Sequence, residues 1–151
     1  MLPKWHIFIG FLFTIILKFT TPIDYTNLLI IFLASFLIDV DHWFVYVLKK
    51  KDFSISKAYN WFIQKGIKYE KLSLKERKKY KKLIMIFHGI EFWILLLVLS
   101  VYSKIFIFIL LGIAIHMVFD FMEIINKKEP LYTKFSQIYS CIKNKNKKAF
   151  Y

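Results

Sequence analysis

Histidines and carboxylates interrupt apolar stretches of this chain at spacings that suit a shared chemical site. The pairs are Asp39/His42, His88/Glu91 and His116/Asp120. Residues three or four positions apart lie on one side of an α-helix. Imidazole and carboxylate groups together suit a divalent metal ion such as Zn, Mn or Fe. These residue types and spacings therefore predict a metal site between helices.

The composition indicates a membrane protein with basic connectors. The 151 residues are 58% hydrophobic, with a mean hydropathy of +0.48 and a formal net charge of +13. Apolar runs joined by basic segments are typical of membrane proteins with several spans. Nucleic-acid binding is not expected, because the basic residues avoid the apolar runs and no nucleic-acid motif is present. The single cysteine, Cys141, is expected to be a free thiol.

Four apolar runs predict an all-α membrane protein with four transmembrane helices. The runs cover residues 3–19, 26–48, 83–101 and 104–125. The first run could instead be a signal peptide, but it lacks a small-residue cleavage site and contains His6. Residues 1–125, including a basic connector at 49–82, are then one transmembrane domain, and residues 126–151 are a basic tail.

The connector and the tail are expected to carry amphipathic helices that lie on the membrane surface. In the connector, Ser54 predicts a helix start and Gly66 its end, although a solvated loop is the alternative. The apolar face of this helix would consist of Ile55, Ala58, Tyr59 and Phe62. Ser73 and Glu76 have capping-box spacing and predict a helix that continues into the third span. The tail repeats apolar residues at helical spacing, namely Leu131, Phe135, Ile138 and Ile142.

The distribution of basic residues predicts that both termini and the 49–82 connector are cytosolic. This connector and the tail hold 20 of the 23 Lys and Arg residues, and such residues concentrate on the cytosolic side of membrane proteins. In that orientation His42, His88 and His116 lie about 8–14 Å from the cytosolic helix ends, and His6 lies near the cytosolic start of the first span. The outer halves of the spans hold no acid or histidine, which favours an enzyme or a metal-dependent binder over a transport path. The basic connector is expected to attract anionic lipid headgroups.

The shared depth of the polar groups favours one common metal or proton site over separate core histidines. The predicted metal ligands are His6, Asp39, His42, His88, His116 and Asp120. One or two divalent ions, with Zn preferred and Mn, Fe or Mg as alternatives, would supply the positive charge that the span interiors lack. Asp41 points about 200° round the helix from Asp39 and is expected to be a general base or to orient a ligand. Glu91 is the other candidate base, or a further ligand.

The motifs resemble those of the prokaryotic membrane-bound metal-dependent hydrolases, the YdjM-like family. That family has an N-terminal His, a Pro-Asp-x-Asp-His motif, a central His motif and a late His-x-x-x-Asp motif. The matching positions are His6, Asp39-Val40-Asp41-His42, His88-Gly89-Ile90-Glu91 and His116-Met117-Val118-Phe119-Asp120. Ile38 stands where the family commonly has proline, and Trp93 stands where its central motif has a second histidine. The resemblance covers residues 1–125.

This resemblance implies a hydrolase in the plasma membrane of a prokaryote, in which a metal-activated water cleaves the substrate. The depth of the site suits an amphiphile, so a lipid or polyprenyl phosphoester at the cytosolic leaflet is the expected substrate. The alternatives are a non-enzymatic metal-binding or metal-sensing membrane protein, and a transporter component that completes its path by oligomerising.

Overall fold

The chain folds into helices joined by turns and short extended segments. A computed structural model describes residues 3–150, and this range contains no strand beyond an isolated parallel bridge between Tyr80 and Lys148. The α-helices are α1 (Pro3–Thr20), α2 (Tyr25–Leu37), α3 (Val40–Lys50), α4 (Ile55–Glu70), α5 (Leu74–Arg77), α6 (Ile90–Ser100), α7 (Ile105–Asn126), α8 (Tyr132–Phe135) and α9 (Gln137–Asn144). A 3₁₀ turn at Ile86–His88 precedes α6. The prediction of an all-helical fold is confirmed.

Helix α2 packs against both α1 and α7, and α6 packs against α7. Glycines make the two α2 contacts close. A methyl group at Gly10 of α1 would overlap the side chain of Ser35. One at Gly112 of α7 would overlap the backbone of Ile31 and the side chain of Ala34. Small residues at helix crossings are typical of membrane bundles, where backbones approach closely.

Several polar groups lie inside the bundle, and many large apolar groups lie on its outside. On α1, for example, His6 and Thr14 are buried, whereas Phe8, Phe11 and Ile16 are exposed. Over the described residues, ten polar or charged side chains and ten hydrophobic ones are buried. Soluble proteins bury mainly apolar side chains. Exposed apolar surface of this extent marks an interaction with another protein or with a membrane.

Two segments, Tyr25–Lys50 and Ile105–Asn126, are long and apolar enough to cross a membrane. They correspond to the second and fourth predicted spans. Four spans are not shown: among the described residues, α1 does not pass the same test of length and composition, and α6 is a shorter apolar helix. Two such helices alone are weak support for a membrane location. The exposed apolar side chains add to that support.

The prediction of a continuous helix over residues 83–101, the third predicted span, is wrong. The capping box of Ser73 and Glu76 is present, as predicted, but the helix that it starts ends at Arg77. An extended segment and the 3₁₀ turn follow, and α6 begins only at Ile90.

Side chains from other elements explain why this segment is not helical. The Met85 N–H donates to the side chain of Gln137 at 2.9 Å, and the Phe87 N–H donates to the carboxylate of Asp41 at 3.3 Å. These contacts satisfy backbone groups that a helix would otherwise pair internally. The segment thereby places His88 in the bundle on a 3₁₀ turn.

Helices α2 and α3 are one long segment that bends at Ile38 and Asp39. Here the hydrogen bonds reach back three residues, from Asp39 N–H to Phe36 and from His42 N–H to Asp39. A local 3₁₀ turn of this kind bends a helix without proline. The bend therefore lies within the Asp-x-Asp-His motif.

Helix α4 begins after the Ser54 N-cap, as predicted, but it continues past Gly66 to Glu70. A methyl group at position 66 would have no neighbour within 4 Å. The glycine therefore neither packs closely nor ends the helix, and the predicted helix end is wrong.

The tail helix α9 has its polar side buried and its apolar side exposed. The buried residues are Gln137, Ser140 and Asn144, and the exposed apolar ones include Ile138 and Ile142. The Asn144 side chain accepts from the Lys82 N–H and donates to the Lys82 carbonyl, both at 2.8 Å. The tail is thus fixed to the extended segment by polar contacts. Its predicted position at a membrane surface stays a prediction.

Candidate metal centre

The six predicted metal ligands lie together in one cluster, called here the His/Asp cluster. Its members are His6 on α1, Asp39 at the bend between α2 and α3, His42 on α3, His88 on the 3₁₀ turn, and His116 and Asp120 on α7. Three overlapping groups could each hold a metal ion, with ligand atoms within 4.8 Å of one another. These groups are His6/Asp39/His116, Asp39/His42/His88 and His88/His116/Asp120.

The carboxylates of Asp39 and Asp120 lie between the buried histidines. Asp120 Oδ2 is 3.4 Å from His116 Nε2 and 3.5 Å from His88 Nε2, and Asp120 Oδ1 is 3.5 Å from His6 Nε2. Asp39 Oδ1 is 3.5 Å from His88 Nε2 and 3.7 Å from His116 Nε2. Two tetrahedral zinc ligands are roughly 3.4 Å apart when each lies about 2.1 Å from the ion. The observed separations are close to that value.

Hydrogen bonds on the far side of two rings set which nitrogen faces the cluster. His116 Nδ1 donates to the backbone carbonyl of Ser35 at 2.9 Å, and His88 Nδ1 lies 3.0 Å from Asp41 Oδ2. A neutral histidine that donates from Nδ1 has an unprotonated Nε2. This form binds metals, and such far-side partners are typical of metal ligands.

Three inward-facing nitrogens lie near carboxylate oxygens but form no hydrogen bond with a described residue. They are the buried Nε2 atoms of His6, His88 and His116. Buried polar atoms without a partner are rare, because leaving them unsatisfied is unfavourable. Nitrogen and carboxylate donors in this arrangement therefore fit a divalent metal ion.

These residues follow one another along the chain in the order of the YdjM-like motifs. Comparison with family models, curated proteins and solved structures found no match to this chain. The family assignment therefore stays a prediction.

Lys134 supplies the cluster with a positive charge that sequence reasoning missed. Its Nζ lies 2.6 Å from Asp120 Oδ2, and its side chain is only 19% exposed. Burial alone would lower the pKa of Lys134, but the carboxylates of Asp120, Asp39 and Asp41 together raise it. The span interiors hold no lysine or arginine, as predicted, but Lys134 of the tail reaches the cluster from outside them. Lys134 is one of seven basic residues in the tail, and its spacing does not distinguish it from the others.

Asp41 lies beside the cluster and holds two of its histidines. Its Oδ2 contacts His88 Nδ1 and accepts from the Phe87 N–H, and its Oδ1 is 3.2 Å from His42 Nδ1. Asp41 belongs to none of the three potential metal groups. These contacts agree with one of the two roles predicted for Asp41, that of orienting histidine ligands. Its role as a base stays a prediction.

Glu91 lies in the first turn of α6, with its carboxylate against the start of α9, and the structure does not bring it into any of the three groups. Its carboxylate accepts from Ser136 Oγ at 2.6 Å, from the Ile138 N–H at 3.0 Å and from the Gln137 N–H at 3.2 Å. Carboxylates stabilise helix N-termini by accepting from free N–H groups there. The catalytic role of Glu91 stays a prediction. Its contacts stabilise the start of α9.

A cavity of ≈ 610 Å³ adjoins the cluster. Its polar lining includes Asp39, His42 and Lys134. Helix α4 supplies an apolar wall, formed by Ile55, Ala58, Tyr59, Phe62 and Ile63. The apolar face predicted to contact the membrane surface therefore lines this cavity. Polar groups at one place and an apolar wall beside them suit an amphiphilic ligand.

Proposed function

We propose that the chain is a membrane-embedded, metal-dependent hydrolase that cleaves a lipid or polyprenyl phosphoester at the cytosolic leaflet. The observation that carries this proposal is the convergence of three buried histidine Nε2 atoms on the carboxylates of Asp39 and Asp120, next to the cavity. An ion-pair cluster with a purely structural role would need no adjoining cavity. The combination supports an enzyme.

The three groups assign the residues that would hold the metal. Asp39, His88 and His116 each belong to two of them, so the cluster is compatible with one or two ions, and zinc is the preferred metal. A bound divalent ion would lower the pKa of a water molecule and polarise the phosphoester. His42 lines the cavity and its side chain is 31% exposed, so it faces the substrate. Asp41 contacts His42, whereas the Glu91 carboxylate contacts the start of α9, so Asp41 is the preferred proton acceptor of the two.

The cavity and the outer surface support a lipid substrate. The apolar wall on α4 would receive part of a hydrocarbon chain while the phosphoester lies near Asp39 and His42. The apolar exterior of α1, α2 and α7 would keep the protein in the bilayer. The basic connector and tail favour the cytosolic leaflet, with its anionic headgroups.

Metal analysis of the purified protein tests the first half of the proposal. We expect a stoichiometric divalent ion in the natural chain and a lower metal content in His116→Ala and His42→Ala. Ser35→Ala is a matched control, because His116 bonds the backbone carbonyl at position 35, which this substitution keeps. Absence of metal in the natural protein, or full metal content in both histidine variants, would refute the proposed site.

A panel of lipids tests the second half. Phosphoester lipids and amide lipids would be incubated with the metal-loaded protein in detergent micelles, and the released products measured. We expect hydrolysis of phosphoesters by the natural chain and by Ser35→Ala, and none by His42→Ala or His116→Ala. Hydrolysis that survives both histidine substitutions does not come from this cluster.

Metal sensing without catalysis is the second candidate function, and the Lys134–Asp120 ion pair is the observation that favours it. A metal ion on Asp120 would compete with the Lys134 ammonium, and Lys134 belongs to the tail. Metal binding could therefore be transmitted to α8 and α9. A metal-loaded protein that hydrolyses no lipid but changes the protease sensitivity of its tail would support this alternative.

A further inference from the structure

We propose that Lys134 binds the phosphate group of an anionic lipid in the cavity and is thus a substrate-binding residue. This inference rests on the proposed function, because a metal ion on Asp120 is what would release the ammonium for a substrate. In the structure the ammonium contacts Asp120 Oδ2, and the same side chain lines the cavity. Lys134 therefore connects the candidate metal ligands with the candidate substrate space.

The backbone that carries Lys134 is fixed at several points. Ser136 and Ile138 just beyond it donate to the Glu91 carboxylate, and the Gln137 side chain accepts from the Met85 N–H. An ordinary surface lysine loses considerable side-chain entropy when it binds a ligand. Lys134 is already directed inward and mostly buried, so much of that loss has occurred before a ligand arrives.

Two of the other lysines of the cavity wall have carboxylate partners that the metal would not disturb. Lys82 contacts Glu129, and Lys127 contacts Glu70 and Glu123. Lys134 differs, because its carboxylate partner is itself a candidate metal ligand. Metal binding would therefore weaken the hold on Lys134 while leaving these two lysines paired.

The formal charges of the site agree with metal binding first and phosphate binding second. With neutral histidines, Asp39, Asp41 and Asp120 carry three negative charges, and Lys134 carries one positive charge. One divalent ion then brings the site to neutrality, and a second would make it positive. An anionic phosphate would thus enter a site that no longer repels it, and a lysine ammonium beside it would add a charge-assisted hydrogen bond.

Phosphate binding to the metal-loaded protein tests the inference. The probes are inorganic phosphate and phosphatidic acid in neutral detergent micelles, titrated by calorimetry into the natural chain, Lys134→Met, Lys134→Arg and Lys104→Met. Lys104 precedes α7 and controls for loss of one charge elsewhere. We expect Lys134→Met to keep its metal and to bind phosphatidic acid about ten- to a hundredfold more weakly. Lys134→Arg should bind more tightly than Lys134→Met, and Lys104→Met should match the natural chain.

The other outcomes overturn the inference in distinguishable ways. Unchanged phosphatidic acid binding by metal-loaded Lys134→Met would show that Lys134 is only a counter-ion. Loss of metal from Lys134→Met would show that it supports the cluster instead of the substrate. Equal affinity for inorganic phosphate and phosphatidic acid would show that the lipid part of the proposal is wrong. A natural chain without metal would refute the proposed function itself, before the variants are compared.

Discussion

At the scale of single residues, two carboxylates of equal charge have different surroundings and so different tasks. Asp41 contacts the rings of His42 and His88, whereas Glu91 contacts the first N–H groups of α9. A partner behind a metal-binding histidine fixes its ring and raises its basicity. A carboxylate at a helix start fixes backbone instead. Substitution separates these two roles.

Asp41→Asn should weaken metal binding by about ten- to a hundredfold, because the His88 and His42 rings lose a charged partner. Competition with a chromophoric chelator measures this affinity. Asp24→Asn is the matched control: Asp24 caps α2, and asparagine caps a helix about as well. An unchanged affinity in Asp41→Asn would contradict the orienting role.

Glu91→Ala should loosen the tail and leave the metal in place. Three donors at the start of α9 would lose their acceptor, and loss of a helix cap costs about 1 kcal/mol. Limited proteolysis of the tail, together with metal content, measures both effects. Glu91→Gln keeps an acceptor oxygen and should be milder. Metal loss with a fully protected tail would instead make Glu91 a member of the metal site.

At the scale of helices, close contacts of α2 with α1 and α7 hold the cluster together, because these helices carry His6, His116 and Asp120. Gly112→Ala should destabilise the fold by about 1–3 kcal/mol, since the added methyl group would overlap Ile31 and Ala34. Thermal unfolding in detergent measures the change.

Gly66→Ala on α4 is the matched control, because a methyl group there meets no neighbour. It should leave the melting temperature equal or higher, since alanine favours a helix interior by about 0.5–1 kcal/mol over glycine. Equal effects of the two substitutions would show that the contact at Gly112 is not tight.

The elements that depend on local sequence could be predicted, and those that depend on distant side chains could not. The apolar runs at 26–48 and 104–125 form long helices, and the caps at Ser54 and Ser73 are present. The 83–101 run is equally apolar, but its first part is extended because Gln137 and Asp41 bind its backbone. No local sequence pattern shows that these two distant side chains bind the segment.

The same distinction holds for the candidate site. The six cluster residues could be singled out because each is a polar group within an apolar run, where a partner is obligatory. Lys134 lies in a basic tail, where a lysine needs no special explanation. Only the packing of α8 and α9 against the bundle shows that this lysine reaches Asp120.

At the scale of the whole molecule, polar groups share the bundle interior with a hydrophobic core, and many large apolar side chains are exposed. His6, Thr14, Ser35 and Asp120 face inward, and large apolar side chains cover the outside of α1, α2 and α7. In lipid, a polar cluster of this kind is expected to be functional and to face the bundle interior. The membrane environment and the cytosolic position of the cluster are therefore one linked proposal.

Cysteine labelling tests this arrangement with two single-cysteine variants in a Cys141→Ser background. Ser103→Cys places a thiol in the exposed connector between α6 and α7, and Asn146→Cys places one in the exposed end of the tail. Because α7 lies between these positions and is long enough to span a bilayer, we expect them on opposite sides. A membrane-impermeant maleimide added to intact cells should label Ser103→Cys alone, and permeabilised cells should label both. Labelling of Asn146→Cys alone would reverse the proposed orientation, and equal labelling of both in intact cells would show that α7 does not cross the membrane.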